Sequence, residues 1–143
     1  MNAPERIAKD RLFLADTHEV INVSSELTDT NLYTHDMALV EGVRREGAGW
    51  AHDKLTAFGA LTGSAEYLEL GVQANQNPPE LDTHDRFGRR IDRVRFHPAY
   101  HTLMRTAIEH GLHSSPWTDP RAGAHVARAA HTYLHTQVEA GHG

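Results

Sequence analysis

Apolar residues recur at helical spacing through most of the chain, and the breaks between the runs carry the chemistry that starts and stops helices. From Asp36, a good N-cap, Leu39, Val40 and Val43 fall on one face, and Gly47 and Gly49 in "EGAG" supply an ending. Trp50 opens a second amphipathic run, with Leu55, Phe58 and Leu61 to one side, that closes at Gly63-Ser64. Ser64 can cap a third helix carrying Tyr67, Leu68 and Leu70, and Pro78-Pro79 ends it, because neither proline donates a backbone hydrogen bond and each pushes its predecessor out of helical geometry. A fourth run starts at Pro98, shows Leu103, Met104, Ala107 and Ile108 on one stripe and stops at Gly111. After a linker, "LHSSPWTDP", Asp119-Pro120 reads as the N-cap and first position of a fifth helix bearing Val126, Ala129, Ala130, Tyr133, Leu134 and Val138.

Two segments break this pattern. Residues 1–30 mix β-branched residues with Ser, Thr, Asp and Asn and show no sustained period, which predicts an extended arm. Between Pro79 and Phe96 the chain becomes "ELDTHDRFGRRIDRVRF", polar on both sides of Gly88, with Val94 and Phe96 alternating; this predicts a short β-hairpin or ordered loop at about 80–96. The expectation is a mostly α domain of five helices with one hairpin, spanning 31–143 behind the arm.

At 143 residues the length suits one domain. Many of the apolar residues are alanines, which form helices well but bury little surface, so the core should be thin and some helical faces should need a partner. The net charge of −5 gives no general attraction for nucleic acid or an anionic membrane. With no cysteine, disulfides, thiolate metal sites and a cysteine nucleophile are excluded, and a reducing cytoplasm is compatible. No apolar stretch approaches the roughly 18–20 residues that cross a bilayer, and the N-terminus does not read as an export signal.

Three places invite a chemical reading. His131 and His135 lie one helical turn apart, as two metal-ligating imidazoles would, but "HTYLH" lacks the glutamate of the HExxH signature and spacing fixes no third ligand. Twelve histidines make such pairs common, and His97 with His101 is another; the expectation is that His131 and His135 are solvated side chains. The strip holding Arg86, Arg89, Arg90, Arg93 and Arg95 could meet phosphates, but Asp82, Asp85 and Asp92 can neutralise it and Phe87 is its one aromatic, so it reads as an ordinary charged surface. Gly-x-Ser-x-Gly, Gly-x-Gly-x-x-Gly and phosphate-loop motifs are lacking, and "GAGW" sits between helices with no strand before it. No residue is assigned to catalysis, to a cofactor or to a metal.

Four stretches taken together carry more information than any motif: "NLYTHDMALVEGVRREGAGW", "GSAEYLELGVQANQNPPEL", "GRRIDRVRFHPAYHTLM" and "GAHVARAAHTYLHTQVEAG". In order and without large gaps they resemble the N-terminal part of the AidB-like proteins, the DNA-alkylation-response branch of the acyl-CoA dehydrogenases. The resemblance implies a helical N-terminal domain which, in that family, is followed by a β-rich middle domain and a C-terminal helical bundle that hold most of the FAD site. It implies a truncated or fragmentary oxidoreductase, inactive alone, whose helices cover one side of the acyl/flavin cavity. Val126, Tyr133 and Leu134 would then be apolar residues left to bury against other domains or subunits of an oligomer. A self-standing helical module docking onto a separately encoded flavoprotein remainder is the other expectation.

Overall fold

The computed structural model describes residues 21–139; the first twenty positions of the expected arm lie outside them. Six helices and one hairpin follow in order: α1 Met37–Arg45, a single 3-10 turn Gly49–Ala51, α2 His52–Thr62, α3 Ala65–Gln76, β1 Glu80–His84, β2 Arg90–Arg95, α4 Pro98–Glu109, α5 Ser115–Thr118 and α6 Ala124–Thr136. The mostly α expectation and the hairpin are both found.

The caps read from sequence do their work. Asp36 accepts from the Leu39 amide at 2.9 Å and Ser64 from the Tyr67 amide at 3.3 Å, each satisfying an orphan donor of a first turn. Pro98 occupies the first turn of α4, and His97 caps it by accepting from the Ala99 amide at 3.2 Å, so this histidine has a structural task.

Two boundaries differ from expectation. The segment read as a linker contains α5, with Pro116 buried in its first turn. The last helix starts at Ala124, not at Pro120. Asp119 instead pairs with Arg121 through contacts of 3.1 and 2.6 Å, and Gly123 intervenes at φ +77°, its α-carbon pressed against the Gly47 backbone where a side chain has no room.

The core lies where α1, α2 and α6 meet: Tyr33, Val40, Val43, Ala48, Ala51, Leu55, Phe58, Ala127, Ala130 and Leu134. Its alanines let α2 and α6 approach closely, while α3 packs on α4 beside them. Residues 21–32 form no helix or strand, as expected of an arm. The end of this arm is tied to α2 by Thr30 donating to the Gly63 carbonyl at 3.3 Å and Leu32 to that of Gly59 at 3.0 Å. Asn31 adds its side-chain amide to the Thr56 carbonyl and accepts from the Tyr33 and Thr34 amides. Leu134 is fully buried in the chain's own core and needs no outside partner, contrary to expectation, whereas Tyr133 is half exposed with its hydroxyl on Asp36.

The hairpin is antiparallel, with Glu80 opposite Arg95, Leu81 opposite Val94 and Asp82 opposite Arg93, and its strands make their main contacts with each other. Asp85 shapes the turn, accepting from the Phe87 and Arg89 amides at 2.8 and 3.0 Å, and Gly88 takes the left-handed conformation at φ +80°.

Candidate functional site

Between α2, the end of α4, α5 and α6 lies an open cleft of about 440 Å³. Small residues make it: Ala51 just before α2, Ala57 on α2, Ala124 and Ala127 on α6, and Gly111 after α4, all on its lining. Lys54, Glu109, His110, Asp119 and His131 bring charge and titratable groups to it, and Trp50 stands at one side. The Trp50 indole donates to the Ala122 carbonyl at 2.9 Å, and the Arg121 guanidinium, held by Asp119, lies 4.4 Å from the centre of its ring.

Beneath the cleft, Phe58 is enclosed by imidazoles. His110, His131 and His135 have ring centres 4.6, 5.2 and 6.4 Å from it. His131 and His135 are therefore core residues, 8% and 4% exposed, and the expectation of a solvated pair is corrected. The signal was present in the sequence: His131 and His135 continue the buried stripe of Ala124, Ala127, Ala130 and Leu134. Only their polarity argued for the surface. His131 donates from Nδ1 to the Ala127 carbonyl at 2.9 Å, one turn back, which leaves Nε2 as the acceptor of the neutral ring. Among the described residues no three His, Asp or Glu side chains are grouped as metal ligands would be.

Burial depresses the His131 pKa below its ordinary value of 6.5 against an opposing pull from the Ala127 hydrogen bond, and nearby His110 and Lys54 push it further down. Desolvation likewise lowers His110, with Glu109 opposing. Both rings are neutral at pH 7. The unfolded chain binds protons as pH falls below about 6.5 before the folded chain does, so this stabilisation is present above 6.5 and lost as pH falls through the folded values. Urea midpoints are expected to drop between pH 7.5 and pH 5, and His131→Gln should flatten that drop; an unchanged slope in the variant would remove His131 from the account.

The arginine strip is sorted by the hairpin. Arg93 and Arg95 both reach Asp82, at 3.2 and 2.7 Å, Arg95 also reaches Glu80, and Arg90 pairs with Asp92. The Arg95 hydrogen bond holds the Asp82 carboxyl below the usual carboxylate range, with Arg93 assisting. Asp85, expected as a third counter-ion, spends its carboxylate on the turn instead. Arg86 and Arg89 lie 4.5 and 5.6 Å from the centre of the exposed Phe87 ring. Among the described residues, no helix is long and apolar enough to cross a membrane.

Comparison with known proteins places this architecture. The family described as the Adaptive response protein AidB N-terminal domain matches residues 22–143. The chain is 54% identical over 126 residues to the protein of Escherichia coli (strain K12) named "Putative acyl-CoA dehydrogenase AidB", which covers 87% of this chain and 23% of that protein. In fold it is similar to the structure titled "Bd2924 apo-form", with a TM-score of 0.73 and 22% identity over 82% of this chain and 24% of the other. It is equally similar to Caenorhabditis elegans ACDH-11 in complex with C11-CoA, with a TM-score of 0.72 and 23% identity over 88% of this chain and 22% of that one. The chain thus spans about a quarter of the length of these relatives. With the family model matched over residues 22–143 and 54% identity to that relative, the chain belongs to the AidB family and corresponds to its N-terminal domain.

Proposed function

We propose that this chain is the N-terminal helical portion of an AidB-like flavoprotein of the acyl-CoA dehydrogenase type. In this reading it serves as a non-catalytic wall: it covers one side of the acyl/flavin cavity and packs against the middle and C-terminal domains in a cytoplasmic, alkylation-response oxidoreductase. The observation that carries the reading is 54% identity to a protein of which the chain spans only 23%. Half-exposed Tyr133, with Trp117 65% and Met37 60% exposed, supports it, since apolar groups of this size on one small domain suit further packing.

The relatives imply FAD in the full-length protein, and the described residues do not fit it by themselves. The cleft beneath Trp50 sets Glu109 and Asp119 against Lys54 alone, a poor cradle for a pyrophosphate, and among the described residues no strand precedes the glycines at 47 and 49.

Titrated with FAD, the purified chain is expected to bind none stoichiometrically and to support no flavin reduction by an acyl-CoA. Added to a separately produced middle and C-terminal portion of an AidB-like protein, it should raise that portion's flavin retention. Flavin reduction by the chain alone would overturn the non-catalytic assignment, and failure to affect the remainder would overturn the packing role.

A further inference from the structure

Two arginines end α1 side by side, and only one of them is neutralised. Arg45 pairs with Glu46 at 2.8 Å, whereas Arg44 has no carboxylate partner among the described residues. The Arg44 stem lies beside Gly49, whose missing Cβ would sit 3.9 Å from Arg44 Cγ. Gly49 opens the 3-10 turn that leads into His52, the first residue of α2. Tyr33 arrives from the segment before α1, where the Asn31 carboxamide accepts from its amide at 3.1 Å.

With Val40, these residues line an open pocket of about 260 Å³, and among the described residues no carboxylate lines it. Arg44 and His52 are exposed and Tyr33 is buried, so the pocket runs from two basic side chains to a phenol. The Tyr33 hydroxyl has one hydrogen bond among the described residues, with His52 Nδ1 at 3.5 Å, so long that most of its donor capacity is unspent. Burial raises the Tyr33 pKa above its ordinary value of 10.0, against the pull of Arg44, so the phenol keeps its proton at pH 7.

We propose that this pocket binds a terminal phosphoryl group, that of a small phosphate monoester or of free phosphate. The Arg44 guanidinium spans two of its oxygens, as a planar fork does. Tyr33 Oη and His52 Nδ1, in the tautomer that carries its proton there, both donate to the third. A carboxylate offers only two oxygens to these three side chains. The size of the pocket falls below the roughly 300–1,000 Å³ of sites that enclose a drug-sized ligand, so it suits one end group and not a whole cofactor. The chain carries −5 overall, so its general field repels anions, and the attraction comes from this local set of donors. The cleft beneath Trp50 shares no lining residue with the pocket, and the flavoprotein reading stands or falls separately.

The test is a titration of the 143-residue chain with inorganic phosphate at pH 7, at ionic strength held constant with sodium chloride, followed by NMR of backbone amides and imidazole rings. Saturable shifts are expected at Tyr33, Arg44, Gly49 and His52, with a Kd on the order of 1 mM. Arg44→Gln and Tyr33→Phe should each weaken binding at least about tenfold, the usual loss of a hydrogen bond to a charged group. Arg45→Gln removes the same charge one residue away, outside the pocket, and should leave the Kd within about twofold because salt screens a distant exposed charge. Dimethyl phosphate, with one charge and two free oxygens, should bind at least about tenfold more weakly than inorganic phosphate. Methyl phosphate binding as tightly as inorganic phosphate supports an ester as the ligand, and binding of inorganic phosphate alone supports the free ion. Shifts that do not saturate overturn the proposal, as do equal losses from Arg44→Gln and Arg45→Gln. Unchanged binding by a folded Tyr33→Phe chain overturns it too, and so does dimethyl phosphate binding as tightly as inorganic phosphate.

Discussion

Phe58→Ala is expected to destabilise the domain by about 3–5 kcal/mol, the usual cost of removing a buried ring whose surroundings cannot collapse into the space. The ring is fully buried and is the point that His110, His131 and His135 share, so the loss uncouples α2 from both α4 and α6. Against a total stability of about 5–15 kcal/mol for a small domain, such a change leaves little or no margin. Thermal unfolding followed by circular dichroism should show a melting temperature lower by on the order of 15 °C. Ile108→Ala, at a position 53% exposed, should stay within about 0.5 kcal/mol of the parent. Equal effects at the two positions would mean that Phe58 is not the hub described.

A pair of glycines gives the second large effect, and here the sign is the test. Gly42 lies inside α1 with no heavy atom within 4 Å of where a Cβ would sit, so Gly42→Ala should stabilise by up to about 1 kcal/mol through helix propensity. Gly59 lies inside α2, but a Cβ there would come 2.6 Å from Asn31 Oδ1, Tyr33 Cβ and the Tyr33 amide nitrogen. These atoms belong to the segment that Asn31 organises and to a Tyr33 side chain 1% exposed, so they cannot move without disturbing the core. Gly59→Ala is expected to destabilise by about 1–3 kcal/mol despite the gain in propensity. Denaturant midpoints measure both, and amide exchange at Leu32, which donates to the Gly59 carbonyl, should accelerate in the second variant. A stabilised Gly59→Ala would show that the arm does not lie against α2.

Much of this architecture was legible because helix ends are written in single residues. Asp36, Ser64 and Pro98 do locally what their chemistry favours, and Pro78-Pro79 stops a helix wherever it occurs. The start of α6 was misread because Asp119-Pro120 has cap chemistry that the fold does not use: Arg121 claims the carboxylate, and the close approach of Gly123 to Gly47 sets the true boundary. That approach joins segments far apart in sequence, so no local pattern reports it. The same holds for Leu134, read as an apolar residue in search of a partner and found filling the core. For His131 and His135 the periodicity was sufficient, and the polarity of the residue type outweighed it. The family was the most legible property, because it is spread over residues 22–143 rather than resting on one site.

The hairpin folds back on itself and shares few contacts with the helices, so its energetics are separable from theirs. In a thermodynamic cycle, a charge reversal at Arg86 and a truncation at Phe58 should combine additively, because the two side chains share no ring or charge partner among the described residues. The molecule therefore has two independently adjustable parts. The helical body sets whether the chain folds, while the hairpin tip, exposed at Phe87, is free to change its charge without the core having to answer for it.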